Sequence, residues 1–209
     1  MPFPLRESSG HVARFRMTFI GTSPMMMHNS RLADPLDPVV KEIKSISGKM
    51  RKTDEDYDKM AYWEFVGGMY YVEDVGPFLP AANLRKAFIE AARKTKNGKQ
   101  VEQGLFVDTL INPVAYDGPR TIDGLWVNKN FVDRSCVKVQ AARVMRTRPI
   151  FHVWAVDAVC TFDPSLLNFG QINEFAQTAG DYIGLGDYRP LYGRFQAKLE
   201  ELGDSDAEA

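Results

Sequence analysis

Alternation of apolar and polar positions is clearest near the start of the chain. From Val12 to Ile20, Phe15, Met17 and Phe19 fall on one side and Arg14, Arg16 and Thr18 on the other. That is the period of a half-buried strand with a basic outer face. Gly21-Thr-Ser-Pro24 breaks it, ahead of the apolar Met25-Met-Met27 and then His28-Asn29. Asp37-Pro38 reads as the N-cap and first residue of a short helix carrying Val39, Val40, Ile43 and Ile46. After a basic loop, Ser47 to Arg51, the spacing Thr53-x-x-Asp56 predicts a capping box. It opens a second helix that ends at Gly67-Gly68. Met69 to Val72 and Val75 to Leu79 predict a small hairpin.

The strongest helical pattern follows. Leu84, Ala87, Phe88, Ala91 and Ala92 recur at helical spacing after Pro80-Ala-Ala-Asn83, and Asn97-Gly98 closes the segment. Leu105 to Ile111 reads as a strand, and Asn112 to Asp133, rich in Asp-Gly and Gly-Pro, as an inserted loop or hairpin. Val137-x-Val139-x-Ala141 and Phe151 to Phe162 read as two further strands joined by the basic stretch Arg143 to Arg148. Asn168 or Ser165 caps a second amphipathic helix through Ile172, Phe175, Ala176, Ala179 and Ile183, with a short strand near the end. This order predicts an α+β fold, an antiparallel sheet with helices on one face, rather than a doubly wound sheet. A single domain over 1–203 is expected, with insertions at 38–68 and 112–133 and a disordered acidic tail at 204–209.

Composition removes other classes. The chain has 209 residues, 44% hydrophobic and 25% charged, which excludes disordered and fibrous readings. No apolar run approaches the roughly 18–20 residues of a membrane span, and Met1 to Gly10 has no signal-like apolar stretch. A soluble cytoplasmic chain without membrane partners is the expectation. Two cysteines, Cys136 and Cys160, and three histidines, His11, His28 and His152, lack metal-ligand spacing, so neither a metal nor a cofactor is expected.

The formal charge of −1 hides segregation. Glu200 to Ala209 carries five acids and no base. Arg134 to Arg148 carries five bases and no acid, and Asn83 to Lys99 six bases against Glu90 alone. Such blocks are either solvated faces or a nucleic-acid footprint. The acidic tail is then a candidate intramolecular competitor for the basic surface.

Near the C-terminus, Gly184, Gly186 and Gly193 alternate with Tyr188, Arg189, Tyr192 and Arg194. The glycines permit close backbone approach, the arginines offer forks for phosphate, and the tyrosines offer rings for stacking. The spacing is neither a Walker loop nor a dinucleotide fingerprint. A helix ending in Ala-Gly, then Gly-Leu-Gly-x-x-Arg-x-x-x-Gly-Arg-Phe and a strand, resembles the glycine-rich loop of the CRISPR-associated RAMP superfamily. Gly76-Pro-Phe-Leu-Pro80-Ala-Ala-Asn83-Leu84-Arg85-Lys-Ala87 is similar to the segment that opens the first helix of that family's backbone subunits, with Ala81, Ala82 and Asn83 replacing its Gly and Ser. The first strand with its irregular loop fits too.

The resemblance implies a ferredoxin-like (RRM-like) domain that binds single-stranded RNA, or DNA second, within a ribonucleoprotein or as a stand-alone phage or plasmid member. By analogy, Arg85, Lys86 and Arg93 flank the binding path. Arg143, Arg146 and Arg148 would come from the hairpin, and Gly184, Gly186, Tyr188, Arg189, Tyr192, Gly193 and Arg194 from the loop. The plainer reading of that loop is a tight turn with Arg189 paired to Asp187 or Asp181.

Two enzyme candidates come from the same analogy. His28 lies where the family's RNA-processing endonucleases place a general base, and Asp34 where some backbone subunits hold an aspartate for metal-dependent cleavage. On local grounds Asp34 before Pro35 is a turn residue and Asp37 a cap, and His152 reads as a structural histidine in a strand. A metal-independent endoribonuclease using His28 is therefore one alternative to binding. A self-assembling or nucleotide-sequestering module is another.

Overall fold

The computed structural model describes residues 12–139 and 142–202. His11, the N-terminal segment, Ala141 and the tail after Leu202 lie outside the described residues. The first strand, β1 (Ala13–Gly21), buries Phe15, Met17 and Phe19 completely, as the alternation predicts. A two-residue strand, β2 (Met25–Met26), leads through a 3-10 turn at Ser30–Ala33 into α1 (Pro38–Ser47) and α2 (Asp54–Gly68). Both helix starts follow the caps read from sequence. The Asp37 side chain accepts from Val39 N–H, and Thr53 and Asp56 form a reciprocal capping box. The Arg31 guanidinium grips Asp37 at 2.9 and 3.1 Å and, foremost among its neighbours, holds its carboxyl below the usual range.

The hairpin β3 (Tyr71–Val72) and β4 (Gly76–Pro80) runs directly into α3 (Ala81–Arg93). Gly98 does not simply close this helix. It begins a short further helix, α4 (Gly98–Gly104), before β5 (Leu105–Val107) and β6 (Ile111–Ala115). The predicted strand 105–111 is thus two strands, and residues 112–115 belong to the sheet rather than to an inserted loop. The reason is Asn112, fully buried. Its amide donates to Leu79 O and Thr109 O at 3.0 and 2.8 Å, pinning the bend between the two strands to β4. The rest of the expected loop holds α5 (Ile122–Val127), whose Trp126 meets Tyr62 and Phe65 of α2 edge-on or tilted at 5.4 Å.

The largest correction concerns the basic stretch. Arg143 to Arg148 is not a connector between strands. It is the body of β8 (Ala142–Phe151), paired antiparallel with β7 (Val132–Val139). Together with β2 these strands make a separate three-stranded sheet. His152 is not in a strand either; it is exposed in the turn before β9 (Ala155–Phe162). Asn168 caps α6 (Phe169–Thr178), and β10 (Phe195–Leu202) follows the glycine loop.

In the main sheet β10, β1 and β9 lie side by side, all antiparallel. The other edge of β9 is shared by β5 and β6, and β4 and β3 extend the sheet beyond β6. α3 and α6 cover the face that carries Phe15, Met17 and Phe19. Phe88 of α3 stands edge-on to Phe19 at 6.5 Å, and Phe169 meets Phe15 at 6.0 Å. The chain is an α+β protein with a mostly antiparallel sheet. Among the described residues no helix is long and apolar enough to cross a membrane.

The two cysteines sit in opposite environments. Cys160 on β9 is buried, and burial pushes its thiol up to about 12, whereas Cys136 on β7 is exposed. Native protein should therefore show one fast thiol toward an aromatic disulfide reagent and a second only after unfolding. Two fast thiols would contradict the packing of β9.

Candidate nucleic-acid interface

The glycine loop is built against the chain's own backbone. Gly186 and Gly193 both hold left-handed conformations, with φ of 79° and 75°. A Cβ at Gly186 would strike the Met26 carbonyl, and one at Gly193 the Leu185 carbonyl. Backbone bonds finish the docking. Asp187 N–H donates to Met26 O at 2.8 Å, Gly193 N–H to Pro24 O at 2.7 Å, and Leu185 N–H to Gly193 O at 2.8 Å. Gly184 starts the loop, its N–H returning to Ala179 O at 2.8 Å. Close approach is thus used to lock the loop onto the segment that follows β1. The tip is left outward: Tyr188 is 50% exposed, edge-on to the half-buried Tyr192 at 6.2 Å.

This docking brings distant parts of the chain to one cleft of about 130 Å³. Asn83 and Lys86 come from the first turns of α3, Gly186 and Arg189 from the loop, and His28 from the segment after β2. Arg189 does not pair with Asp187 or Asp181. Its Nη1 lies 3.2 Å from Glu90 Oε2, and Lys86 Nζ stands 4.0 Å from Glu90 Oε1. One carboxylate on α3 therefore holds two cations at the cleft. Asp187 instead approaches Arg148 across to β8, at 2.7 Å from its Nε.

The hairpin arginines divide. Cross-strand partners share a face, so Arg146 and Arg148, opposite Ser135 and Asp133, lie on one side of the hairpin. Arg143, opposite Lys138, lies on the other. Arg143 is exposed. Arg146 reaches Glu64 Oε1 at 2.5 Å, and Glu64 Oε2 accepts from Thr147 N–H at 2.9 Å, tying α2 to β8. Arg148 is buried, with its guanidinium 5.8 Å from the Tyr188 ring. Replacing the buried Glu64 by alanine leaves the Thr147 N–H unpaired. It should lower stability by about 1–3 kcal/mol, read as a fall in Tm; an unchanged Tm would contradict the tie.

The remaining predicted contacts are scattered. Arg85 serves the fold, donating to Leu105 O at 2.8 Å and to Glu102 O, with its guanidinium over Phe106. Arg93, exposed near the end of α3, shares a shallow groove with Arg85 and Lys86. Arg194 is exposed at the start of β10, its backbone bonded to Thr22 and Ser23. Groups that the sequence reading did not single out now stand with the site: Asn83, Lys44, Glu64 and Glu90. Glu64 and Glu90 do so through Arg146 and Arg189, which lie far from them in sequence, and Asn83 and Lys44 by lining the cleft and the pocket beside it.

His28 is an exposed residue lining both this cleft and a second one beside Arg146 and Arg148. Packing around the ring lowers its pKa first, and Arg148 and Arg146 add to that against Asp187 and Glu64. The shift favours the neutral imidazole. Asp34 is exposed, and its Oδ1 accepts from Leu36 N–H at 2.8 Å, a turn contact. Among the described residues no group of three or more His, Cys, Asp and Glu side chains is placed to hold a metal ion. Compared with known proteins, the chain matches no family model and no curated sequence.

Proposed function

We propose that this protein binds single-stranded nucleic acid, RNA before DNA, along the surface that runs from α3 across the glycine loop to β8, as a subunit of a ribonucleoprotein or phage nucleic-acid complex. The observation that carries this reading is convergence. Three segments far apart in sequence, each part of the likeness to RAMP proteins, meet at one cleft through Asn83 and Lys86, Gly186 and Arg189, and His28. The antiparallel order β10-β1-β9-β5, with α3 between β1 and β5 and α6 between β9 and β10, supports a ferredoxin-like core beneath it. Lys86 and Arg189 supply phosphate contacts, which give affinity without sequence reading. Asn83 and the neutral His28 supply hydrogen bonds of the kind that a 2′-hydroxyl takes, and Tyr188 a ring for a base.

The position of His28 among cations supports a second reading, in which its neutral imidazole takes the proton of a 2′-hydroxyl. Gel analysis of labelled single-stranded RNA and DNA after incubation separates the two. The binding reading expects shifted, intact probes, RNA at lower protein concentration than DNA. Shortened RNA that becomes intact with His28→Ala would replace it by the nuclease reading. Absence of any shift at low salt would remove both.

A further inference from the structure

Beyond the cleft at the glycine loop lies a larger one, about 400 Å³, between α1 and β8. We propose that it is a nucleotide pocket, taking one base against Leu32, Val40 and Ile43 and its phosphate against Lys44, Arg146 and Arg148. Only the strand-borne form of this ligand rests on the proposed function; a free nucleotide has the same chemistry.

The two walls differ in kind. The wall from the 3-10 turn and α1 is apolar except for Lys44, and the wall from α2 and β8 is polar, where Arg146 and Arg148 stand with the single carboxylate of Glu64. An apolar wall facing a few convergent polar groups, at this size, is the usual make-up of a small-molecule site. Glu64 has one hydrogen bond on each oxygen, from Arg146 and from Thr147 N–H. Each oxygen therefore keeps a lone pair for an N–H on a base edge.

Arg148 gives the independent sign. The residue is only 8% exposed, and its Nε, although 2.7 Å from Asp187 Oδ2, is off the hydrogen-bonding direction. Nε and Nη1 are both buried without a hydrogen-bond partner among the described residues. Asp187 balances the charge of the guanidinium, but buried donors left without a directed hydrogen bond are costly and suit an oxyanion. Arg148 lines this pocket on the strand next to Arg146 and Thr147. Lys44 of α1 lines the same pocket from the opposite side, so a phosphate there meets cations from both walls.

Calorimetry with adenosine 5′-monophosphate, adenosine and inorganic phosphate, alongside anisotropy with labelled single-stranded RNA, tests this on the whole protein. Two variants leave the core alone: Lys44→Glu at an exposed position, and Ile43→Trp, which fills the apolar wall. Lys198→Glu on the edge strand β10 is the charge control, and circular dichroism confirms folding. If the free nucleotide is the ligand, the monophosphate binds more tightly than adenosine or phosphate, and both pocket variants weaken it by about tenfold. If a strand supplies the nucleotide, the monophosphate does not bind. RNA then weakens by a similar factor in both pocket variants and not in Lys198→Glu. RNA bound equally by wild type and both variants, with no monophosphate binding, overturns the pocket and leaves the proposed function standing. Monophosphate bound in the pocket without any RNA binding does the reverse, and binding of neither overturns both.

Discussion

Gly193→Ala should lower stability by at least about 3 kcal/mol, the combined effect of a left-handed alanine and a displaced backbone carbonyl. The φ of 75° is one part of the cost, and the other is the Leu185 carbonyl lying where the new Cβ must go. Backbone cannot rotate aside as a side chain can. Leu185 is itself bonded to Gly193 O at 2.8 Å, and Gly193 N–H to Pro24 O, so relief at one point breaks another. For a chain of this size the loss corresponds to a Tm lower by about 6–12 °C. Gly170→Ala, on the exposed first turn of α6, should leave Tm nearly unchanged. A Gly193→Ala protein as stable as wild type would mean that the loop is not docked on the segment after β1.

Reversing two charges at the cleft is expected to have the largest functional effect. Lys86→Glu combined with Arg189→Glu should weaken single-strand binding by about 100-fold at low salt, since two phosphate contacts become repulsions. Lys86 is 65% exposed, but Arg189 and Glu90 are only 30% and 27% exposed and the reversals set three carboxylates together, so circular dichroism must show the double variant folded before affinities are compared. Glu90→Gln is the informative counterpart. It frees both cations from their carboxylate and should tighten binding. Fluorescence anisotropy at fixed salt measures both. Unchanged affinity in the double reversal would move the interface away from this cleft.

Much of the fold was legible in the chain because its signals are local. Phe15, Met17 and Phe19 mark β1 by alternation, Thr53 with Asp56 marks a helix start by hydrogen bonds within four residues, and Asn168 is one of the two caps legible before α6, its box with Gln171 being settled by the structure. β8 was hidden because it carries arginine on both faces. Arg143 on one side and Arg146 and Arg148 on the other leave no period to read, and their partners Glu64 and Asp187 lie far off in sequence. β6 was hidden for a related reason: Asn112 and Pro113 look like turn residues, and only β4 beside them makes the buried amide a sheet contact. At the candidate site, the glycines and arginines stand out as types. Which of them share a cleft depends on where the loop docks, so Lys86 and Arg189 are drawn together while Arg85 is taken up by carbonyls of α4 and β5.

If this surface holds the phosphates of a single strand, binding must weaken steeply as salt rises. Anisotropy of labelled single-stranded RNA across a salt series yields the slope of log K against log salt. With Lys86 and Arg189 each neutralising one phosphate, and a third held jointly by Lys44, Arg146 and Arg148 where the pocket takes a nucleotide of the strand, the slope should be about −1.4 to −2, at roughly −0.7 per phosphate. A flat slope, or no binding at the lowest salt, would mean that no phosphate is held here and leave these basic groups as a solvated, internally paired face.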